Sequence, residues 1–132
     1  MIFLDTSALV KRYVREEHSD RVLRLMEADG AWSACALALV ESHITLCARF
    51  VQPDARDEAR RTLDVDWQRF AVVALGDEIL ARAVEISCQF GTRTVDSIHL
   101  AAAQRLPSGL TVVTFDERQA AVARTLGLAV AP

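Results

Sequence analysis

Four acidic residues of this sequence stand apart from its other charges. Each is the only formal charge in a stretch of ten or more residues, whereas most of the remaining acids lie in mixed-charge segments typical of solvated helix faces. A carboxylate is rarely buried unless it is paired or bound to a metal ion, because the loss of its hydration costs several kcal/mol. We therefore interpret the four as one acidic cluster. They are Asp5, Glu41, Asp96 and Asp116.

Such a cluster requires a cation. Two carboxylates about 5 Å apart repel each other by about 3 kcal/mol at an effective dielectric constant of ~20. Hard oxygen ligands favour Mg²⁺ or Mn²⁺ over zinc, and none of the three histidines has the spacing of a zinc motif. Mg²⁺ held by carboxylates is the usual apparatus of phosphodiester chemistry. The cluster thus predicts one or two Mg²⁺ or Mn²⁺ ions as cofactors.

A purely structural role is open for three of the four acids. Asp5 and Asp116 each follow an apolar run and are able to cap the next helix. Asp96 suits the first turn of a helix, where the helix dipole favours negative charge. Glu41 has the weakest structural alternative, because it lies in the middle of a predicted helix with no arginine before Arg49 to offset its charge.

Basic residues near these acids are candidate contacts for the phosphates of a nucleic acid. The formal net charge is −3, which is not the basic balance of a protein that binds nucleic acid by charge alone. Two bound Mg²⁺ ions would bring the net charge to +1, so a polyanionic substrate is not excluded. The candidate phosphate contacts are Lys11, Arg12, Arg93 and Arg118.

The elements that must position these residues alternate along the chain. Apolar and β-branched runs predict strands at residues 2–4, 32–35, 70–75, 110–115 and 128–130. Caps, apolar periodicity and glycine stops predict helices from a cap at Thr6 or Ser7 to residue 14, and at 20–29, 36–51, 54–63, 77–90, 94–106 and 117–126. Alternating strands and helices indicate an α/β fold with a mainly parallel sheet, whose ligands bind at the carboxyl ends of the strands.

Length and composition are those of one globular domain covering residues 1–132, with 52% hydrophobic and 25% charged residues. The apolar start meets Asp5 at once, and no stretch approaches ~20 apolar residues. We therefore expect a soluble, cytoplasmic protein with no membrane partner. The three cysteines form no paired motif, so we expect small buried thiols in a reducing compartment.

The four acids lie in four distinctive segments. The segments are Leu-Asp-Thr-Ser-Ala-Leu-Val at 4–10, Glu41 in its Ala/Leu-rich helix, Asp-Ser-Ile-His-Leu-Ala at 96–101 and Val-Thr-Phe-Asp at 113–116. Together these segments resemble the PIN-domain nucleases, and specifically the small VapC-type toxins of bacterial toxin–antitoxin pairs. They occur in order, at family spacing, over the whole chain, and the trailing Leu-Gly-Leu at 126–128 also fits.

The resemblance implies a parallel-sheet α/β/α sandwich with a cleft for one or two Mg²⁺ or Mn²⁺ ions, and hydrolysis of single-stranded or loop RNA. Asp5 and Asp96 would be the central metal ligands, and Glu41 would position the ion and a water molecule. Asp116 would act at a second metal position or through water. The family further implies a homodimer and a cognate antitoxin whose tail blocks the cleft.

The resemblance also implies supporting roles for side chains beside the acids. The hydroxyls of Thr6, Ser7 and Thr114 would orient the carboxylates. His99 lies one turn after Asp96. We expect it to act mainly in packing, with a hydrogen bond to the Asp96 carboxylate as the alternative.

Three other interpretations remain. Phosphorelay receiver domains also gather acids around Mg²⁺, but they need a lysine after a late strand, and Lys11 is the only lysine here. Phosphatases of the haloacid-dehalogenase type want Asp-x-Asp at the first strand, where this chain has Asp5-Thr6-Ser7. A catalytically silent PIN-like binding scaffold would be marked by a lost carboxylate, and all four are present.

Overall fold

The computed structural model describes residues 1–132 and contains five strands and seven helices. The strands are β1 (Ile2–Leu4), β2 (Trp32–Cys35), β3 (Ala71–Val73), β4 (Thr111–Val113) and β5 (Ala129–Ala131). The helices are α1 (Thr6–Leu9), α2 (Ser19–Ala28), α3 (Ala36–Arg49), α4 (Pro53–Trp67), α5 (Asp77–Phe90), α6 (Thr94–Ala103) and α7 (Glu117–Thr125), and a short 3₁₀ turn over Val10–Arg12 continues α1.

All five strands are parallel and lie in the order β3-β2-β1-β4-β5. From the central β1 the chain builds outward through β2 to β3, and then returns to the other side of β1 to form β4 and β5. The order therefore reverses between β1 and β4. The crevice at the carboxyl ends of two such strands is where open parallel sheets bind ligands.

The two faces of the sheet carry separate apolar cores, because successive side chains of a strand point to opposite faces. In β1, Ile2 and Leu4 pack with residues of α1 to α4, whereas Phe3 packs with residues of α5, α6 and α7. In β4, Val113 joins the first core and Val112 the second. The protein is thus an α/β/α sandwich, which confirms the predicted fold class.

Every predicted strand and helix is present, but several bounds differ. The first helix is capped by Asp5 rather than by Thr6 or Ser7, since the Asp5 side chain accepts from the Ala8 backbone N–H. Helix α4 extends to Trp67, beyond the predicted residue 63, whereas α6 ends at residue 103 instead of 106. The 70–75 and 110–115 runs shorten to three-residue strands, because only those residues find a neighbouring strand.

Two further sequence expectations meet the structure here. Cys35 is buried as predicted, but Cys47 and Cys88 are exposed, so the expectation of buried thiols is wrong for those two. Both lie on the outer faces of amphipathic helices, where an apolar residue type does not by itself decide burial. No helix combines the length and apolar character needed to cross a bilayer.

Candidate active site

The carboxyl ends of β1 and β4 open into a cavity of about 580 Å³. Its walls carry all four of the isolated acids, one following β1, one on α3, one on α6 and one following β4. Acids up to 111 positions apart in the sequence therefore line a single pocket. Besides Asp5, Glu41, Asp96 and Asp116, the lining includes Thr6, Ser7, Arg93, His99 and Gln119.

Asp5 is the most deeply placed acid of the pocket, with 4% of its surface exposed. Its Oδ1 accepts from the Ala8 N–H and the Ser7 hydroxyl, both at 2.8 Å, and its Oδ2 accepts from the Thr114 hydroxyl at 2.6 Å. All of these donors are neutral. Burial raises the pKa of Asp5 above its ordinary value, although the hydrogen bonds from Thr114, Ala8 and Ser7 oppose the rise.

Glu41 is held through one oxygen by two side chains. Its Oε2 accepts from the Thr6 hydroxyl at 2.5 Å and lies 2.8 Å from Nε2 of His99, while its Oε1 has no hydrogen-bond partner. Partial burial by itself would raise the pKa of Glu41, but the hydrogen bonds from His99 and Thr6 outweigh it, and the pKa is lowered. The hydrogen bond considered between His99 and Asp96 is therefore not formed; His99 contacts Glu41 instead.

The His99 ring is buried, and its Nδ1 has no hydrogen-bond partner. Because an ionised carboxylate only accepts hydrogen bonds, Nε2 of His99 is the donor to Glu41. His99 also packs edge-on against Phe3 of β1, so the packing role and the hydrogen bond occur together.

Asp96 and Asp116 share one guanidinium. Nε of Arg93 lies 2.7 Å from Asp96 Oδ2, and Nη2 of Arg93 lies 2.9 Å from Asp116 Oδ2. The hydrogen bond to Asp96 is the main reason that the pKa of Arg93 is raised. Gly91, in the left-handed conformation (φ 66°), ends α5 and turns the chain so that Arg93 stands directly before α6. Arg93 is the one cation within this set of acids.

Asp116 caps α7, as its position after a strand allows. Its Oδ1 accepts from the N–H groups of Arg118 at 2.9 Å and Gln119 at 3.0 Å. Gln119 is buried and lies 2.9 Å from the Thr114 hydroxyl that donates to Asp5. Sequence reasoning missed Gln119, although the Asp-x-x-Gln spacing after a strand is the signature of a helix N-terminus and could have marked it.

The predicted hydroxyl residues each contact a carboxylate. Thr6 donates to Glu41, and both Ser7 and Thr114 donate to Asp5. Thr6 and Ser7 line the pocket, whereas Thr114 is buried behind it. Hydroxyl donors fix the direction of a carboxylate without cancelling its charge.

The four basic residues predicted near the pocket divide into two pairs. Arg93 lines the pocket, and Arg118 faces a small adjoining cavity together with Arg93. Lys11 and Arg12 do not line it. Lys11 is only 12% exposed and pairs with Glu16 at 2.8 Å, while Arg12 pairs with the buried Asp66 at 2.7 Å. Each of these two cations is instead paired with a carboxylate outside the pocket lining.

The donor set of the pocket suits a hard divalent cation. Four carboxyl groups face one guanidinium, and oxygen donors without thiolates select Mg²⁺ or Mn²⁺. No group of three or more His, Cys, Asp or Glu side chains is already arranged around a common point, and Arg93 occupies Asp96 and Asp116. The residues fit such an ion by their chemistry, provided that Arg93 releases Asp96 and Asp116.

The sequence matches a family model described as PIN domain over residues 2–125. It is 36% identical over 130 residues to ribonuclease VapC46 of Mycobacterium tuberculosis, covering 98% of this chain and 95% of that protein. It is 30% identical over 135 residues to ribonuclease VapC47 of the same species, covering 99% of this chain and 96% of the relative.

Solved structures share the fold at lower sequence identity. FitAcB from Neisseria gonorrhoeae superposes with a TM-score of 0.78 at 19% identity, covering 100% of this chain and 97% of that one. VapC20 of M. tuberculosis, described as a sarcin-ricin loop cleaving toxin, gives 0.75 at 17% identity, with 92% and 94% coverage. A toxin–antitoxin complex from Klebsiella pneumoniae gives 0.68 at 15% identity, with 88% and 87% coverage.

The family match covers residues 2–125, and both relatives match nearly the whole chain at 30% identity or more. The chain belongs to the PIN-domain family and is a relative of the VapC ribonucleases.

Proposed function

We propose that this protein is a metal-dependent endoribonuclease that hydrolyses RNA phosphodiester bonds and acts as the toxin of a toxin–antitoxin pair. One observation carries the proposal: four carboxyl groups from four separate elements line a single pocket that contains one guanidinium. Such an excess of negative charge requires a cation, and relatives over the full chain length are named ribonucleases.

Asp5 and Asp96 are the residues proposed to hold the ion, with Glu41 and Asp116 on either side of them. When bound, Mg²⁺ or Mn²⁺ supplies Lewis-acid neutralisation of the charge that develops on the phosphate and activation of the attacking water. Ser7 and Thr114 direct the Asp5 oxygens, since both hydroxyls donate to this carboxylate. The site holds two ions if Asp116 coordinates a second ion directly, and one ion if Asp116 acts through water.

Glu41 is proposed to orient the attacking water. Its Oε1 has no partner and is free to accept a hydrogen bond, while Oε2 is fixed by Thr6 and His99. Because its pKa is lowered, Glu41 stays ionised near neutral pH and acts as an acceptor that orients the water. His99, by donating from Nε2, keeps the free oxygen directed into the pocket.

Arg93 is proposed to change partners when substrate binds. In the present arrangement its guanidinium neutralises Asp96 and Asp116 in part. A cation held by these acids removes the reason for that contact, and an exposed arginine is then available to a phosphate. Arg118 faces the adjoining cavity and is the second candidate phosphate contact.

The proposed partners are RNA, a cognate antitoxin and a second copy of the chain. Structural neighbours include a toxin–antitoxin complex, which supports the antitoxin as a partner. Val40 and Ile44 lie one turn apart on α3, and 55% and 64% of their surfaces are exposed. Val84 of α5 is 63% exposed. Apolar side chains exposed on adjacent turns are typical of protein–protein contact surfaces.

One observation favours the alternative of a catalytically silent binding scaffold. Arg93 already supplies a positive charge to two of the acids, and no metal-holding group of three side chains is preformed. The scaffold and the nuclease differ in one testable respect. Only the nuclease releases Arg93 in exchange for a divalent ion.

The test is incubation of the purified chain, free of antitoxin, with total cellular RNA in the presence of Mn²⁺ or of a chelator, followed by mapping of new RNA ends. We expect discrete cuts that require the metal and are absent with Asp5→Asn. Cuts that persist in the chelator would contradict the metal-dependent mechanism. Absence of cuts by the wild-type chain would transfer the proposal to the scaffold.

A further inference from the structure

A stacked pair of aromatic rings stands beside the acidic pocket and has no part in the chemistry described so far. The rings of His18 and Phe115 lie parallel, with centroids 5.1 Å apart and an interplanar angle of 8°. Phe115 immediately precedes Asp116, and His18 comes from the loop before α2. Both rings line a second cavity of about 470 Å³, whose wall also includes Asp116.

The pair is attached directly to the hydrogen-bond network of Asp5. The backbone N–H of Phe115 donates to the Ser7 hydroxyl at 3.1 Å, and this hydroxyl donates to Asp5. The preceding residue, Thr114, donates to the other Asp5 oxygen. The position of the Phe115 ring is therefore fixed relative to the acid at the floor of the active-site pocket.

Phe115 is also supported by a cation. Nζ of Lys11 lies 4.8 Å from the centre of its ring, and the Lys11 charge is paired with Glu16. A cation near the face of an aromatic ring is attracted by the ring quadrupole, and this contact is partly desolvated here, since Lys11 is largely buried. Lys11, predicted as a phosphate contact, thus lies over the face of this ring.

The His18 ring is held outward at a cost. His18 has φ 68°, the left-handed conformation that non-glycine residues seldom adopt and that costs on the order of 1 kcal/mol or more. Its side chain remains 46% exposed, so the stack leaves much of the ring open to solvent. A ring used only for packing would gain more from burial than this arrangement provides.

The cavity beside the rings suits a nucleotide. Its volume lies within the range of about 300–1,000 Å³ usual for ligand sites. Arg124 lines the cavity beside Glu117 and offers a charge for a phosphate, and Asp116 joins the cavity to the active-site pocket. Unstacked bases of single-stranded RNA are commonly held on aromatic rings in this way.

We propose that the His18–Phe115 pair is a stacking platform for a nucleobase of the RNA substrate, next to the phosphate that is cleaved. This inference rests on the proposed ribonuclease function and adds a substrate subsite to it. The ligand is a base of single-stranded RNA. Because every base has a π-face, the platform selects for an unpaired nucleotide and does not select which base that nucleotide carries.

The test uses a single-stranded oligoribonucleotide that spans a cut mapped with total RNA, with an abasic ribose placed at one position at a time. His18→Asn removes the ring but tolerates the left-handed backbone, and Phe115→Leu removes the π-face while keeping apolar bulk. Phe115→Tyr keeps the face and serves as the matched control. Thermal unfolding of each variant checks that the fold is retained.

We expect His18→Asn and Phe115→Leu to weaken substrate binding about tenfold, seen as a raised KM with little change in kcat, and Phe115→Tyr to recover most of the binding that Phe115→Leu loses. At one probe position, the abasic ribose should weaken binding by the wild-type protein as much as either ring-removing variant weakens binding of the intact probe. There the two variants should cause no further loss, because the base that they contact is already absent.

Four results would overturn the platform. Wild-type cleavage with unchanged KM in both variants would leave the ribonuclease function intact and remove the subsite. An equal loss on intact and on every abasic probe would assign the pair to general stability. Variants that cut normally but no longer respond to the cognate antitoxin would make the pair a protein contact. If the wild-type chain cuts no RNA, the proposed function itself fails and the platform falls with it.

Discussion

Two buried carboxyl groups of this protein are held in opposite ways. Asp66, on α4, is 8% exposed and pairs with the Arg12 guanidinium at 2.7 Å and the Tyr13 hydroxyl at 3.1 Å. Asp5 is 4% exposed and accepts only from neutral hydroxyls and a backbone N–H. The charge of Asp66 is balanced by a cation of the protein itself, whereas Asp5 is oriented by hydrogen bonds but has no compensating cation. We call these the closed and the open site.

We interpret the difference as one between structural burial of charge and the burial proposed for a metal ligand. At Asp66 the cation is built in, and the hydrogen bond to this carboxylate raises the pKa of Arg12 still further. Tyr13 beside it also has a raised pKa, chiefly because it is buried and then because of the nearby Asp66 charge. At Asp5 the protein supplies direction without charge, which is the arrangement expected where a cation must enter from solution.

The largest expected effect comes from removing a charge of the open site. Asp96→Asn should lower the RNA cleavage rate about a thousandfold, since several kcal/mol of transition-state stabilisation by a metal depend on its ligands. Asp54→Asn makes the same chemical change in the first turn of α4 and is the matched control. Full activity of Asp96→Asn, measured on a mapped cut, would refute the assignment of Asp96.

Breaking the closed pair should instead cost stability. Arg12→Ala leaves Asp66 buried without its cation, for which we expect a loss of about 3 kcal/mol in the free energy of unfolding. Urea denaturation measures the loss. Cleavage by the folded protein should be unchanged, so a raised KM that depends on salt would restore Arg12 as a phosphate contact.

The contact between His99 and Glu41 offers an intermediate test. His99→Leu should lower cleavage about tenfold to a hundredfold, because the partner that fixes the Glu41 carboxylate is lost. His99→Gln places an amide N–H near the position of Nε2 and should recover much of the rate. Equal rates for the two variants would show that His99 acts only through packing.

A smaller effect concerns the pH dependence of stability. Burial raises the pKa of Asp5, so between the unfolded value of 3.8 and the folded one the native state binds more protons. Stability from this group therefore falls as pH rises through that window. Asp5→Asn lacks this pH dependence. In metal-free buffer, the free energy of unfolding of Asp5→Asn should therefore increase relative to that of the wild type as pH rises. A relative decline would contradict the desolvated state of Asp5.

The sequence was sufficient to predict the order of elements and the convergence of the four acids, which line one pocket, because both leave strong local signals. Apolar runs that end at Asp5 and Asp116 mark strand ends, and an acid within the apolar helix around Glu41 has few structural explanations. These signals depend on a residue and its immediate neighbours. Parallel strands then bring the carboxyl ends of β1 and β4 together.

What escaped the sequence depends on pairs of residues far apart in it. Nothing near His99 indicates that its partner is Glu41, 58 positions away, rather than Asp96 at one helical turn. Nothing near Arg12 indicates that α4 places Asp66, 54 positions away, beside it. The stacking of His18 on Phe115 likewise requires a loop and a strand end that only the folded chain brings into contact.

The most direct test of the central claim is a titration of the metal-free protein with Mn²⁺, followed by thermal unfolding and by calorimetry. Binding to the folded state should stabilise it by about 2.7 kcal/mol at a hundredfold excess over the dissociation constant. Asp5→Asn should abolish the stabilisation, whereas Asp66→Asn, though less stable from the start, should show the same increment as wild type. No Mn²⁺ binding by the wild-type chain, or equal binding by Asp5→Asn, would contradict the account.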